Sequence, residues 1–584
     1  MVRHGDVLPS RKELEREISK YLADKYGEKI KVMSDFPAAE SEKDDTGEKF
    51  GPSSATAEIF NFQLKPEELV AYLDEYVVRQ DQAKAVLATK ICTHFNRIRH
   101  AAEKGRLDRR SQGQVKSNVL LIGPTGVGKT FLIKLIARKL GVPFVKGDAT
   151  KFSETGYVGR DVEDLVRDLV KEAGGVIDRA EFGIIYVDEI DKIAGSDDRI
   201  THDVSRTGVQ RALLKPMEET EVELKVPHDP ISQLEAIEYY RTHGKREGRT
   251  VNTRNILFIM SGAFTGLEEI VKKRVGRQSI GFESTVTSKK EAMLYLGQTK
   301  AEDLIQYGFE SEFVGRLPVI TVLDELSEDD FYRILLNPNN SVVLGKRQDF
   351  RAYGIRLVFE DDALREVAAR AVKEKTGARG LVSVLERSLL PYEKKLPSGD
   401  QAYLVVSRDM IIAPETELAD LLADPGRAEF HRRRFEVLAS EERERIVEFL
   451  RKSRADCFAR QEIAGSPNRL RLLAEMCQED NLESHEACRI MVELLGYIRE
   501  CEAEFSSADL AVRFDQTAED EILAAMPAGR AEVVAACERV FRICEPGLRL
   551  INRKKDIRQV VLTGEAIGDP EKFINKLVQN SFIV

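Results

Sequence analysis

Between residue 64 and about residue 413 the apolar positions alternate between two rhythms. Short β-branched runs at 119–122, 143–146, 182–189, 255–260 and 317–323 read as buried strands, and apolar residues at helical spacing, as in 131–140, fill the intervals. Strands that alternate with helices predict a parallel sheet covered on both faces, an α/β fold. Ahead of it, order resumes at 64–80 and a long helix is predicted over 83–100. From 327 to about 413 the pattern turns mostly helical, with 355–359 and 403–406 suited to pair as a small sheet, which predicts a second, smaller domain. Beyond 414 helical runs follow one another at 441–459, 469–479, 485–505, 519–526 and 531–544, with no fixed period that would mark a solenoid. An all-helical extension is expected there. At the start, residues 11–33 carry Leu14, Ile18 and Leu22 on one helical face, and 34–57 have a linker's composition. The expected division is therefore 1–33, an N-terminal helix; 34–57, a flexible linker; 58–325, a large domain; 326–413, a small domain; and 414–584, the extension.

Composition narrows the class. A chain of 584 residues is too long for one core, and 42% hydrophobic with 32% charged residues suits a water-soluble globular protein. No run of 18 apolar residues is available to span a membrane, and the first residues lack the apolar stretch of a signal peptide. A net charge of −10 argues against a dedicated nucleic-acid binder, so the basic runs at 432–434 and 553–555 read as solvated faces. Seven cysteines without a C-x-x-C pair read as reduced thiols in a cytoplasmic protein.

The candidate chemistry begins where the first strand ends. Gly123, Pro124, Thr125, Gly126, Val127, Gly128, Lys129 and Thr130 form G-x-x-x-x-G-K-T between a strand and a helix. In that setting the loop's N–H groups and the helix N-terminus face phosphates. Lys129 would reach the β- and γ-phosphates, and the Thr130 hydroxyl would ligate Mg²⁺. Some sixty residues on, the third strand ends in Asp188-Glu189. Beside the first strand, Asp188 would serve the metal and Glu189 would activate a water, so the pair of motifs indicates hydrolysis of ATP rather than anion binding alone.

From about residue 64 to 413 the chain resembles the AAA+ protein unfoldases, and within them the ClpX family. The resemblance rests on Tyr76-Val-Val-Arg-Gln80, the 123–130 loop, Glu154-Thr-Gly-Tyr-Val-Gly159, Val187-Asp-Glu-Ile-Asp-Lys192, Glu312-Phe-Val-Gly-Arg-Leu-Pro318 and Lys375-Thr-Gly-Ala-Arg-Gly-Leu381, in matching order. It implies an AAA+ P-loop NTPase fold with a homohexameric ring that threads protein substrates. Val77 and Val78 match the adenine contacts. Gly156, Tyr157, Val158 and Gly159 match the substrate-gripping pore loop, and residues near 196–205 a second one. Arg316 matches the arginine offered to a neighbouring subunit's ATP, and Arg379 the sensor arginine of the small domain. Ser261 falls where the polar sensor of the γ-phosphate belongs. Ile280, Gly281 and Phe282 match the tripeptide that engages a ClpP-type peptidase, although a local strand end would read the same way.

The departures are specific. No cysteines precede Cys92, so a counterpart of the family's N-terminal zinc domain is not expected in these residues, and Arg79 stands where the family commonly has glycine. The segment 221–254 is long and lacks the family's Arg-Lys-His triplet. The apolar end, Asn580-Ser-Phe-Ile-Val584, resembles the docking tail of HslU, but HslU's insertion before the Asp-Glu strand is missing. The expectation is an ATP- and Mg²⁺-dependent unfoldase working with a ClpP-type peptidase. A remodeller without a peptidase and a nucleotide-gated scaffold that recruits through its C-terminal helices are the alternatives.

Overall fold

The structure is a computed structural model that describes residues 64–103, 116–153, 160–195, 204–224, 250–276, 289–424, 426–453, 465–506, 510–525, 529–555 and 558–582. The helix expected over 11–33 and the linker over 34–57 lie outside the described residues.

Helices α1 (Pro66–Asp74) and α2 (Asp81–Glu103) lead to β1 (Val119–Ile122) and α3 (Lys129–Leu140). Next come β2 (Phe144–Asp148), α4 (Asp164–Glu172), β3 (Ile184–Asp188), α5 (Val204–Met217), β4 (Leu257–Gly262) and β5 (Val319–Val322). The five strands form one parallel sheet in the order β2-β3-β4-β1-β5. Alternate side chains of each strand go to opposite faces. Leu120, Ile185, Val187, Phe258 and Met260 therefore join α4 and α5 on one face, whereas Val119, Leu121, Ile184, Tyr186 and Ile259 join α1, α2 and α3 on the other. Both faces are buried, which is why the strands read as continuous apolar runs.

The next layer is α6 (Glu328–Leu336), α7 (Ser341–Arg351), β6 (Arg356–Phe359), α8 (Asp361–Lys373), α9 (Arg379–Lys395), β7 (Tyr403–Val406) and α10 (Pro414–Ala423). Ser327 caps α6 by accepting the Asp330 N–H, with Asp330 reaching back to the Ser327 N–H at 2.8 Å. Strands β6 and β7 pair as expected, and they run in parallel. Leu357, Phe359, Leu404 and Val406 face the helical core, to which α10 adds Leu418 and Leu421.

The extension continues with α11 (Gly426–Ser453), α12 (Pro467–Glu479), α13 (Ser484–Phe505), β8 (Ala511–Phe514), α14 (Gln516–Ala524), α15 (Arg530–Lys555), β9 (Gln559–Leu562) and α16 (Pro570–Phe582). The helical reading needs one correction here: β8 and β9 form a parallel two-stranded sheet, with Val512, Phe514, Val560 and Leu562 turned into the core. A parallel pair needs a crossover, and α14 with α15 supplies it. Helix α11 serves two cores. Its first half lays Phe435, Leu438 and Ala439 over Val358 and Val405, the far face of the β6–β7 pair, and its second half puts Ile446, Val447 and Leu450 into the extension's own core.

Candidate active site

All five strands of the large sheet run the same way, so their C-terminal ends share one edge, where loops converge and ligands bind in open α/β sheets. The turn after β1 carries the glycine-rich motif. Gly128 sits at φ 96° as the residue before α3, and Lys129 and Thr130 open the helix. Lys129 Nζ folds back onto its own loop, donating to the carbonyls of Gly123 at 2.5 Å and Pro124 at 2.9 Å. Burial pulls its pKa down, with the charge of Arg379 adding to the effect and Asp188 and Asp191 opposing it.

Thr130 points at the end of β3. Its hydroxyl lies 3.1 Å from the Tyr186 hydroxyl and 3.4 Å from Asp188 Oδ2. Ser261 Oγ donates to Asp188 Oδ1 at 2.6 Å, and Lys146 Nζ stands 2.9 Å from Asp188 Oδ2. Burial alone would raise the pKa of Asp188; the Ser261 hydroxyl and the Lys146 ammonium outweigh it and keep the carboxylate below its ordinary range. Glu189 follows, exposed and at φ 57°, a conformation that costs a non-glycine residue roughly 1 kcal/mol or more. Its backbone N–H donates to Asp188 Oδ1 at 3.1 Å.

The small layer touches the loop directly. The Ala378 N–H donates to the Gly126 carbonyl at 2.8 Å. Gly126 has φ 79°, and a β-carbon there would lie 2.1 Å from the Thr376 carbonyl oxygen, so only glycine fits beneath this turn. The same turn runs into Arg379, the exposed first residue of α9. On the other side Val77 is buried against the large core and Val78 is half-buried. Gln80 makes two hydrogen bonds to the Asp324 backbone, at 2.7 and 2.8 Å. Arg79, at φ 63°, pairs with Asp324 and with Asp330 of α6.

Arg316 is elsewhere. It precedes β5, and its carbonyl accepts from Asn118, which precedes β1, so it occupies the N-terminal edge of the sheet. At about 3.3 Å per residue, strands this short still put it roughly 13 Å or more from the chain's own glycine-rich loop. Its guanidinium pairs with Glu218.

Two sets of expected site residues, Gly156, Tyr157, Val158 and Gly159 and Ile280, Gly281 and Phe282, lie outside the described residues, as does 196–203 of the second pore loop. Reading motifs alone missed Tyr186, whose buried hydroxyl links Thr130 to Ser261, and Lys146, which faces it from β2. Their signal is the register Lys146↔Tyr186 and Asp148↔Asp188, visible only once the strands are paired.

The comparisons with known proteins fall on this geometry. A family profile described as the AAA domain (Cdc48 subfamily) matches 114–320, and one described as the C-terminal, D2-small domain of ClpB protein matches 327–397. The "ATP-dependent Clp protease ATP-binding subunit ClpX 3" of Methylococcus capsulatus is 41% identical over 374 residues, 62% of this chain and 83% of that protein. The chain belongs to the ClpX family. The "ATP-dependent Clp protease ATP-binding subunit ClpX" of Borrelia duttonii is 42% identical over 60% of this chain and 79% of its own length, and the protein of that name in Treponema denticola is 39% identical over 59% and 81%. The chain is accordingly an AAA+ ATPase of the ClpX unfoldase type.

Proposed function

We propose that this ClpX-type ATPase works as a cytoplasmic homohexamer that threads protein substrates through its central pore and passes them to a ClpP-type peptidase. The observation that carries the reading is the separation of the two halves of the ATP site. Lys129, Thr130, Asp188 and Glu189 gather at one edge of the sheet under the turn that bears Arg379, while Arg316 stands at the opposite edge. An arginine so placed serves a neighbouring subunit's nucleotide, and a site completed in trans calls for a ring.

Lys129 would hold the β- and γ-phosphates, Arg379 would add charge from the small domain, and Val77 and Val78 would flank the adenine. Thr130 Oγ1 and Asp188 Oδ2, 3.4 Å apart, are hard oxygen donors suited to Mg²⁺, and the Lys146 ammonium already lies against both, at 3.4 and 2.9 Å. Among the described residues no group of three or more His, Cys, Asp or Glu forms a metal cage, so phosphate oxygens and water would complete the coordination. Such an ion would neutralise charge on the phosphates. Glu189, exposed at the strand end, would orient the attacking water and take its proton. Tyr157 would grip the polypeptide, and Ile280, Gly281 and Phe282 would dock the peptidase. We take 58–325 as the large ATPase domain, 326–413 as the small domain and 414–584 as the extension. No helix among the described residues is long and apolar enough to cross a membrane.

The test is degradation of a stably folded fluorescent protein with an unstructured tail, given ATP, Mg²⁺ and the host's ClpP-type peptidase. Fluorescence should be lost with release of peptides, and Glu189→Gln should abolish both. Unchanged fluorescence despite brisk ATP turnover would overturn the reading.

A further inference from the structure

The short connection between α12 and α13 crosses the junction of the large and small layers beside the proposed adenine contacts. Toward the small layer, Arg356 pairs with Glu479 at 2.5 Å, Asn481 Nδ2 donates to the Leu344 carbonyl at 2.8 Å, and the Ser484 N–H donates to Asn339 Oδ1 at 2.8 Å. Nearby, Arg347 donates to both carboxylate oxygens of Glu442 at 2.7 and 2.8 Å, so α11 braces the same surface. Toward the large layer, Glu483 accepts from Arg138 at 2.8 Å, and Arg138 also donates to His485 Nε2 at 2.6 Å. His485 Nδ1 lies 3.0 Å from the same Arg138 nitrogen and faces the Tyr76 hydroxyl at 3.1 Å and Glu483 Oε2 at 3.2 Å.

What this strap holds is informative. Arg138 lies in the last turn of α3, the helix that begins with Lys129 and Thr130, and Tyr76 immediately precedes Val77 and Val78. Asn339 closes the circuit, since its side chain also donates to the Glu75 carbonyl at 3.4 Å. One connection of the extension is thus bonded to both layers and to both chain segments that flank the nucleotide site. Asn481 within it sits at φ 54°, in the same left-handed region as Arg79, Gln80 and Glu189. Backbone strain of this kind persists where surrounding contacts over-determine the position.

We propose that the segment 479–485 of the extension is a positioning element of the ATP site, which fixes the angle between the large and small domains and with it the placement of Tyr76, Val77 and Val78. The proposal rests on the ATP-site reading. It gives the extension a route to the motor: whatever binds the extension and shifts α12 or α13 changes nucleotide affinity, and nucleotide changes the extension's affinity by the same factor.

The test is equilibrium binding of a fluorescent ADP analogue to the full chain, together with steady-state ATPase kinetics. The double variant Glu483→Ala/His485→Ala should weaken binding by about fivefold or more and raise KM for ATP in parallel, with kcat within about twofold. The charge swap Arg138→Glu/Glu483→Arg should recover most of the loss that Arg138→Glu causes alone. A purely structural role would lower the unfolding temperature and leave the dissociation constant unmoved. Unchanged affinity in the double variant, while the parent chain binds and Lys129→Ala does not, would overturn the proposal. Failure of the parent chain itself to bind would overturn the ATP-site reading, and the strap with it.

Discussion

Arg79 carries a cost that its neighbours offset. The left-handed φ of 63° is free to glycine and strained for arginine. Here the side chain recovers part of that strain through Asp324 and the nearly buried Asp330, whose carboxyl it helps hold below the usual range against the opposing effect of burial. Arg79→Ala keeps the strain and loses both partners, so urea unfolding should show a loss of about 1 kcal/mol, and Arg79→Gly should return part of it. Lys146 sits against the two oxygens proposed to serve Mg²⁺ and competes with the ion for them. Lys146→Met should therefore lower the Mg²⁺ concentration that gives half-maximal ATPase activity, measured at fixed ATP. Both effects were illegible along the chain, because Arg79 and Lys146 owe their roles to residues brought near by folding. Lys129, Thr130, Asp188 and Glu189 were legible, since local spacing alone places each at a strand end or helix start.

At the scale of elements, the strands and their order of type followed from periodicity, because burial on both faces leaves a continuous apolar run. The β8 and β9 strands escaped notice for the opposite reason: four residues with only alternate positions buried carry a weak signal among long helices. Helix α11 illustrates another limit. Its apolar positions were legible as a helix face, but not that two successive cores would claim different halves of it. Phe435 packs its ring 5.1 Å from that of Tyr403, under the guanidinium of Arg356. Phe435→Ala should cost about 3 kcal/mol, read as a lower unfolding temperature of the small domain and α11. The contact of the Thr376–Gly377 turn with Gly126 makes a second prediction at this scale. Gly126→Ala should weaken binding of a fluorescent ATP analogue sharply, since at φ 79° the added methyl would lie 2.1 Å from the Thr376 carbonyl oxygen and force this turn off the loop.

Two buried imidazoles in different layers contribute a pH dependence to the whole molecule. His94 Nε2 donates to the Asn255 carbonyl at 2.9 Å, and burial pushes its pKa down to about 4. His431 accepts the Val405 N–H on Nδ1, which requires the neutral ring, and burial lowers its pKa as well. In the unfolded chain both protonate near pH 6.5. The unfolded state then binds protons that the folded state refuses, so the imidazoles' contribution to stability is full above pH 6.5 and, for His94, is lost as the pH drops from there toward about 4. For His94 the slope is about 1.4 kcal/mol per pH unit over that window. Urea unfolding at pH 7.5 and pH 5 measures the difference, and His94→Gln should flatten part of it.

By itself the sequence determined the α/β class, the positions of the five strands and the P-loop chemistry. These depend on periodicity and on residues within a few positions of one another. Only the tertiary structure decided that Arg316 stands at the opposite sheet edge from the glycine-rich loop, that Tyr186 and Lys146 gather with Thr130, Asp188 and Ser261, and that the α12–α13 connection bonds to both layers. Those are relations between residues tens to hundreds of positions apart, fixed by strand register and by which buried face each helix covers, and no local pattern encodes them.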